Sequence, residues 1–228
     1  MQLVIGNKNY SSWSLRPWIA LTHAGVPFQE VKLRLDEGED TPFKRRLAAL
    51  GVPTARVPVL VDDDGFVVWD SLAIVETVAE RFPDRGLWPA GARERARARS
   101  LAAEMHSGFG ALRTHCCMNI EARLGDVGRR VLAEQAGVRQ ELARFDALVS
   151  EALAASGGPF LFGAFGIVDA FYTPVATRMR TYGLPLSPAA QGYVDRVLAL
   201  PAFRAWEAEA LAEHDFLPHD EPYRKAPV

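Results

Sequence analysis

Apolar residues follow two different spacings in the first third of the chain. Short runs of adjacent or alternating apolar residues predict strands, and recurrence every three or four residues predicts helices. Strands are predicted at 2–6, 28–33, 57–61 and 66–69, and helices at 13–24, 41–50 and 72–82. The acidic run Asp62-Asp63-Asp64-Gly65 predicts a hairpin between the third and fourth strands. The resulting order, βαβαββα, predicts a four-stranded mixed sheet whose first two strands are parallel.

Helical spacing dominates the remainder of the chain. Residues 83–91 contain Pro, Gly and Asp in close succession and predict a linker. Helices are predicted at 93 to about 118, 127–155, 167–182, 188–200 and 202–212. We therefore predict an α/β plus all-α fold, with a first domain at 1–82, a linker at 83–91 and an all-helical domain at 92–228.

Composition excludes several classes of protein. The chain has 228 residues, is 49% hydrophobic and 24% charged, and has a net charge of -2, which is typical of a globular protein without a strongly basic surface. No apolar run reaches the length of about 18 residues that a membrane span needs, and the first residues lack a signal-peptide pattern. The adjacent Cys116 and Cys117 fit neither a disulfide framework nor a zinc site. We expect a cytoplasmic protein with no metal, no nucleic-acid partner and no membrane partner.

The turn Ser11-Ser12-Trp13-Ser14 is the main candidate for chemistry. It follows the first predicted strand and opens the first predicted helix. A helix N-terminus has unpaired N–H groups and a partial positive charge, so hydroxyls placed there help to hold an anion. If that anion is a thiolate, the site produces a nucleophile. Serine is also a favoured N-cap, so the turn alone leaves both interpretations open.

Two further motifs have a similar double interpretation. Pro58 begins a predicted strand. A cis Val57-Pro58 bond would direct the Val57 backbone toward a peptide-like ligand. Spacing alone favours a trans bond, since only about 5–6% of X-Pro bonds are cis. Asp70-Ser71 precedes a predicted helix and is typical of a cap. The same pair suits an α-amino acid, because a hydroxyl binds its carboxylate and a carboxylate binds its ammonium.

Together these motifs resemble the glutathione transferase superfamily over nearly the whole chain. The segment Ser11-Ser12-Trp13-Ser14-Leu15-Arg16 is similar to the active-site turn of serine-type members, including the zeta and tau classes. The segments 56–60 and 70–74 resemble the cis-proline strand and the γ-glutamyl-binding segment of the family. Residues 162–170 resemble the cap of its buried sixth helix, where members usually have Ser or Thr in place of Gly166. The resemblance implies a thioredoxin-like N-terminal domain.

The resemblance also implies roles for individual residues. Ser11 donates to the sulfur of glutathione, and Ser12 is the second candidate for that role. Val57, preceding Pro58, pairs through its backbone with the cysteinyl unit. Asp70 and Ser71 hold the γ-glutamyl group. For the glycine carboxylate the candidates are Lys44, Arg45 and Arg56, although a solvated basic face is the favoured interpretation for any single one of them.

The resemblance places an electrophile pocket between the two domains. Candidate lining residues on the first long helix are Met105, Phe109, Leu112, Arg113 and Cys116. Burial in the helical core is the favoured alternative for this stripe, because apolar residues at helical spacing normally form core. A nucleophilic role for Cys116 or Cys117 is less favoured than a structural one.

We therefore predict a glutathione transferase that activates the glutathione thiolate for attack on a small apolar electrophile, in a detoxification role. A homodimer is implied by the family. The alternatives are a zeta-like glutathione-dependent isomerase or dehalogenase, and a non-catalytic glutathione-fold interaction module. Zeta-class isomerases have a cysteine where Trp13 stands. Dithiol exchange is excluded at this turn, because Ser11 and Ser14 occupy the spacing of a C-x-x-C pair without sulfur.

Overall fold

The N-terminal part of the chain contains a four-stranded sheet and three α-helices. The computed structural model describes residues 1–226, so the last two residues of the predicted helical domain lie outside the described residues. The elements are β1 Gln2–Ile5, α1 Ser12–His23, β2 Gln29–Lys32, α2 Pro42–Ala49, β3 Val59–Val61, β4 Val67–Trp69 and α3 Ser71–Arg81. Each predicted element is present, and the strand ends lie within two residues of the predicted ends.

The sheet has the order β2-β1-β3-β4. Strand β1 is parallel to β2 and antiparallel to β3, so Leu3 pairs with both Glu30 and Leu60. Strand β4 pairs with β3 in the antiparallel sense through the acidic hairpin. The predicted mixed sheet and its hairpin are confirmed.

Strand β1 is buried on both faces of the sheet. Successive side chains of a strand point to opposite faces, and Leu3 and Ile5 accordingly join the main core with α1 and α3. Val4 packs on the other face against Phe43 and Leu47 of α2. Helices therefore cover both faces of the sheet, and the end of β1 leads directly to the N-terminus of α1.

The remainder of the described chain is helical. The helices are α4 Ala92–Ser107, α5 Gly110–His115, α6 Gly125–Glu134, α7 Ala136–Ser156, α8 Ile167–Tyr182, α9 Pro188–Ala199 and α10 Pro201–Ala212. Helix α8, predicted with its correct ends, is almost entirely buried and packs against α1, α4, α6 and α9. Among residues 1–226, no helix combines the length and hydropathy needed to cross a membrane. The domain boundaries at 82 and 92 stay predictions.

Glycine at the cap of α8 has a steric reason. The Asp169 carboxylate accepts hydrogen bonds from the N–H groups of Gly166 (3.0 Å) and Leu161 (3.1 Å). A Cβ added at Gly166 would lie 3.0 Å from the carbonyl oxygen of Leu87 in the linker. The linker therefore lies against this cap, and the larger Ser or Thr of other family members would need it to shift.

The prediction of one helix from 93 to about 118 is wrong. Helix α4 ends at Ser107, and Phe109 adopts a left-handed backbone conformation with φ 55° before α5 begins. The carboxylate of Glu141 on α7 accepts hydrogen bonds from the N–H groups of Ala111 (3.1 Å) and Leu112 (2.6 Å). A side chain distant in sequence thus caps the N-terminus of a new helix.

The prediction of one helix at 127–155 is wrong for a similar reason. Gln135 is extended and separates α6 from α7. The Arg139 guanidinium donates to the carbonyl oxygens of Leu132 (2.6 Å) and Ala133 (3.1 Å). These carbonyl groups belong to the last turn of α6, so the arginine supplies the partners that a continuing helix would have supplied.

Close packing between α6 and α8 generates a stability prediction. A Cβ added at Gly128 would lie 1.8 Å from the carbonyl oxygen of Tyr182. We expect Gly128→Ala to lower the free energy of unfolding by about 1–3 kcal/mol, because the helices must separate. Gly110→Ala is the control, since its Cβ would meet nothing within 4 Å and the free energy should stay within about 0.5 kcal/mol. Urea denaturation measures both; equal stability of the two variants would contradict the predicted contact.

Candidate functional site

The predicted anion-binding turn lies at the start of α1. Ser11 is the N-cap of this helix, and its Oγ accepts a hydrogen bond from the Ser14 N–H at 3.4 Å. The Ser11 N–H donates to the carbonyl oxygen of Asn7 at 2.8 Å. Local capping therefore fixes the backbone of the turn, as the sequence indicates, and directs the N-terminus of α1 to the site.

A pair of hydroxyl groups connects the turn to the end of β1. The Ser14 Oγ accepts from the Gly6 N–H at 3.1 Å and is hydrogen-bonded to the Ser11 Oγ at 2.8 Å. Each hydroxyl has one proton and can rotate. When Ser14 donates its proton to Ser11, the Ser11 proton is available to an anion in front of the helix. The Ser12 side chain makes no hydrogen bond with other residues of the described chain, so its hydroxyl is also available.

All seven residues assigned to the site from the sequence line one cleft of about 640 Å³. One wall consists of Tyr10, Ser11, Ser12, Trp13, Leu35, Glu37, Phe43, Thr54, Ala55, Arg56, Val57, Pro58, Trp69, Asp70 and Ser71; the other consists of Arg113, Cys117, Met118, Arg178 and Asp220. The cleft therefore lies between the sheet-containing part of the chain and the helical part. The roles of the seven residues stay predictions.

The Val57-Pro58 peptide bond is cis, as the family resemblance implies and contrary to the expectation from spacing alone. Strand β3 begins after it, at Val59. No group of the described residues accepts a hydrogen bond from the Val57 N–H, so this donor is free to bind a ligand. Of the three basic candidates, Arg56 lines the cleft, whereas Lys44 and Arg45 do not.

Asp70 caps the helix that follows it, whereas the Ser71 hydroxyl has no partner among the described residues. Asp70 is the N-cap of α3, and its Oδ1 accepts from the Leu72 N–H at 2.8 Å. Its φ of 76° is a conformation that side chains other than glycine adopt rarely. The Ser71 Oγ is buried without a hydrogen-bond partner among the described residues. A buried hydroxyl left unpaired costs free energy, so Ser71 is the hydroxyl available to a ligand carboxylate.

The helical wall contributes two arginines. Arg178 on α8 is 3% exposed, and its Nε and Nη1 donate to the carbonyl oxygens of Cys116 (2.7 Å) and Pro174 (2.8 Å). Burial lowers the pKa of Arg178 to about 10, so it is charged at neutral pH. Arg113 on α5 lies 5.4 Å from the Trp13 ring centre. The sequence analysis named Arg113 as a candidate and missed Arg178. The available signal for Arg178 was a charged residue within a mostly apolar helix.

A third arginine lies behind the turn. The guanidinium of Arg16 on α1 is fully buried, 4.1 Å from the Trp13 ring centre and 5.0 Å from that of Phe171. Its nitrogens have no hydrogen-bond acceptor among the described residues. Burial, together with the charges of Arg178 and Arg113, lowers the pKa of Arg16 to about 9. The three cations and the N-terminus of α1 favour an anion in the cleft.

Four of the five residues proposed for the electrophile pocket lie in the core, as the favoured alternative predicts, whereas Arg113 lines the cleft. Met105, Leu112 and Cys116 are 0% exposed, and Phe109 packs edge-on against Tyr172 at 5.8 Å between ring centres. Burial raises the pKa of Cys116 to about 12 and also raises that of Cys117. Neither thiol is therefore ionised at neutral pH, although Cys117 lines the cleft.

Residues near both ends of the chain reach the cleft without a clear sequence signal. The Tyr10 hydroxyl donates to Glu221 at 2.8 Å, and burial raises its pKa to about 12. This phenol is therefore committed to a carboxylate rather than to a ligand. Asp220 also lines the cleft, and burial raises its pKa. His106 on α4 lies behind the cleft, with Nε2 3.3 Å from the Asp70 Oδ2.

A second cavity does not compete as the functional site. It has a volume of about 710 Å³, lies between α4 and α7 and includes none of the residues assigned from the sequence. Among residues 1–226, no group of three or more His, Cys, Asp or Glu side chains is arranged to hold a metal ion. The cleft in front of Ser11 is therefore the candidate active site.

Comparison with known proteins agrees with the fold and the cleft. Residues 10–81 match the family described as Glutathione S-transferase, N-terminal domain, and residues 119–209 match Glutathione S-transferase, C-terminal domain. The chain is 29% identical over 212 residues to a maleylacetoacetate isomerase of Pseudomonas aeruginosa, covering 90% of this chain and 94% of that protein. It is 28% identical over 210 residues to Glutathione S-transferase 1 of Dianthus caryophyllus, covering 90% of each.

A solved structure extends the comparison. The holo structure of maleyl pyruvate isomerase, described as a bacterial glutathione S-transferase in the zeta class, matches with a TM-score of 0.66 and 27% identity, over 92% of this chain and 98% of that chain. The two family matches lie on opposite sides of the linker, and the relatives match over most of their length. The chain belongs to the glutathione S-transferase superfamily.

Proposed function

We propose that the protein is a glutathione transferase of the serine type, which binds glutathione in the cleft with its sulfur at Ser11. The observation that carries the proposal is the convergence on one cleft of the α1 N-terminus, the Val57 backbone and the unpaired Ser71 hydroxyl. These groups suit the thiolate, the cysteinyl backbone and the γ-glutamyl carboxylate of one tripeptide. A homodimer and a cytoplasmic location are part of the proposal and are supported by family membership.

Stabilisation of the thiolate is the chemical step that the turn supplies. A free thiol has a pKa near 8.5, so little thiolate is present at neutral pH. A hydrogen bond to a charged group contributes about 1.5–3 kcal/mol, and if all of it favours the thiolate the pKa falls by about one to two units. In the structure the Ser11 hydroxyl donates to the Ser14 Oγ. When the Ser11 hydroxyl rotates to donate to the sulfur instead, the Ser14 hydroxyl can donate to Ser11 in turn. The buried charge of Arg16 acts in the same direction.

The remaining polar groups orient the peptide. Asp70 accepts from the α-ammonium of the γ-glutamyl group, and the Ser71 hydroxyl donates to its carboxylate. The Val57 N–H and carbonyl pair with the cysteinyl unit, and Arg56 pairs with the glycine carboxylate. With the peptide held at both ends, its sulfur faces the second wall of the cleft, where an electrophile would bind.

A second candidate function is glutathione-dependent isomerisation of a conjugated carboxylate. The specific observation in its favour is the cationic character of the second wall, where Arg113 and Arg178 face the turn. Two of the relatives are named as isomerases of maleyl compounds, which carry carboxylates. Trp13 stands where zeta-class isomerases have cysteine. A transferase that selects electrophiles bearing a carboxylate is compatible with the same arginines.

The Ser11 hydroxyl should control ionisation of the bound glutathione thiol. We expect Ser11→Ala to raise the pKa of the bound glutathione thiol by about one to two units and to lower kcat at neutral pH correspondingly. Ultraviolet titration of the thiolate in the binary complex measures the shift. Ser12→Ala is the matched control, because it removes the neighbouring hydroxyl and should leave the thiol pKa nearly unchanged. A shift in Ser12→Ala alone would transfer the role to Ser12.

The second prediction concerns the γ-glutamyl group. We expect Ser71→Ala to weaken binding of S-methylglutathione about 10- to 100-fold, since a hydrogen bond to a carboxylate is lost. Calorimetry with this thioether separates binding from thiol ionisation. Ser100→Ala, an exposed serine of α4 whose hydroxyl bonds to the Ala96 carbonyl, is the control. No binding by the wild type would exclude both enzyme functions, and binding without turnover of any electrophile would favour the interaction module.

The third prediction concerns the second substrate. We expect Arg113→Met to lower kcat/KM about tenfold or more for electrophiles that carry a carboxylate, because a charge-assisted hydrogen bond is lost. Neutral electrophiles should change less than about twofold. Arg97→Met removes an exposed cation outside the cleft and serves as the control. A preference of the wild type for neutral electrophiles, unaffected by Arg113→Met, would instead favour the apolar substrate predicted from the sequence.

A further inference from the structure

Lys8 precedes the catalytic turn and is enclosed by residues from separate elements. Its side chain is 1% exposed, and its ammonium lies 2.7 Å from Glu30 of β2 and is also paired with Glu209 of α10. The same nitrogen lies 4.6 Å from the ring centre of Trp18 on α1 and 5.2 Å from that of Trp206 on α10. Two carboxylates and two indole rings thus hold one cation.

The backbone around Lys8 is held by the same region of the helical part. The Lys8 carbonyl accepts from the Trp206 indole N–H at 2.9 Å, and the Lys8 N–H donates to Glu213 at 2.8 Å. The preceding Asn7 donates through its side chain to Asp215 at 3.0 Å. The loop after β1 is therefore attached to α10 and the segment after it.

The next contacts lead to the hydroxyl that we place at the sulfur. The side-chain oxygen of Asn9 accepts from the N–H groups of Ile120 (2.8 Å) and Glu121 (2.9 Å). The Asn7 carbonyl accepts from the Ser11 N–H at 2.8 Å. Each residue from 7 to 9 thus bonds to the helical part, and the first of them bonds directly to the backbone of Ser11.

We propose that Lys8 is a positioning residue for the transferase reaction: its enclosure between Trp18 and Trp206 fixes residues 7–9 and thereby the position of the Ser11 hydroxyl. The inference rests on the proposed function. Lys8 does not line the cleft, so it acts through the Asn7 carbonyl and the turn. Its loss displaces the donor to the sulfur without altering the Val57 and Ser71 groups that bind the peptide.

The test is an ultraviolet titration of bound glutathione in folded variants of the full chain. We expect Lys8→Met to raise the pKa of the bound thiol by about one unit and to lower kcat at neutral pH about tenfold, with KM for glutathione changed less than about twofold. Lys8→Arg keeps a cation between the indole rings and should remain within about twofold of the wild type. Loss of stability alone would not produce this separation of kcat from KM.

Two further variants complete the experiment. Arg180→Met is the matched control. Like Lys8, Arg180 of α8 is a cation paired with a glutamate, Glu207, and it lies over an aromatic ring, 5.6 Å from the centre of Phe203. Arg180 has no hydrogen bond to residues 7–11, so the thiol pKa should stay at the wild-type value. If Lys8→Met does not fold, Trp206→Phe keeps a ring but loses the donor to the Lys8 carbonyl, and should raise the thiol pKa.

The outcomes distinguish the two proposals. Failure of the wild type to bind glutathione in calorimetry overturns the proposed function and this inference with it. A wild type that binds and titrates glutathione, with folded Lys8→Met or Trp206→Phe titrating identically, leaves the proposed function intact and overturns the positioning role. An equal shift in Arg180→Met also overturns it, because the effect would then follow from lost stability.

Discussion

The structure depends on one hydrophobic core that continues from the sheet into the helical part of the chain. Leu3 and Ile5 of β1 belong to the same cluster of buried residues as Ile167 and Phe171 of α8. Helix α1 lies at the centre of this cluster and packs against α3, α8 and α10. Because burial of apolar surface is the main favourable contribution to folding, the position of α1 is set by both parts of the chain. Contacts from both parts therefore position the helix N-terminus in the cleft.

Local signals in the sequence were sufficient for the sheet and insufficient for the helix ends. The Asp-Gly hairpin and the continuous apolar run of β1 are properties of adjacent residues, and they predicted β3, β4 and the central strand correctly. The start of α5 and the end of α6 are capped by Glu141 and Arg139, whose side chains bond to backbone groups of other helices. Hydrophobic spacing continues across both breaks, so periodicity alone could not locate them.

The same contrast between local sequence signals and long-range contacts applies to the two walls of the cleft. The wall near Ser11 and Ser71 includes the N-termini of α1 and α3, whose caps are recognisable over three or four residues. The cations of the opposite wall, Arg113 and Arg178, lie on separate helices and become neighbours only after the helical part has packed. Arg16 illustrates the limit most clearly, since its complete burial without an acceptor has no counterpart in the sequence pattern.

The break between α4 and α5 makes part of one wall of the cleft a separate short helix. The Ser11, Val57 and Ser71 groups belong to the sheet and the helices that cover it, whereas Arg113 belongs to a six-residue helix held at its N-terminus by Glu141. Insertions or substitutions in this short helix can remodel one wall while the other retains its geometry. Under the proposed function, substitutions in α5 therefore alter selectivity for the second substrate while the wall that binds glutathione is left unchanged.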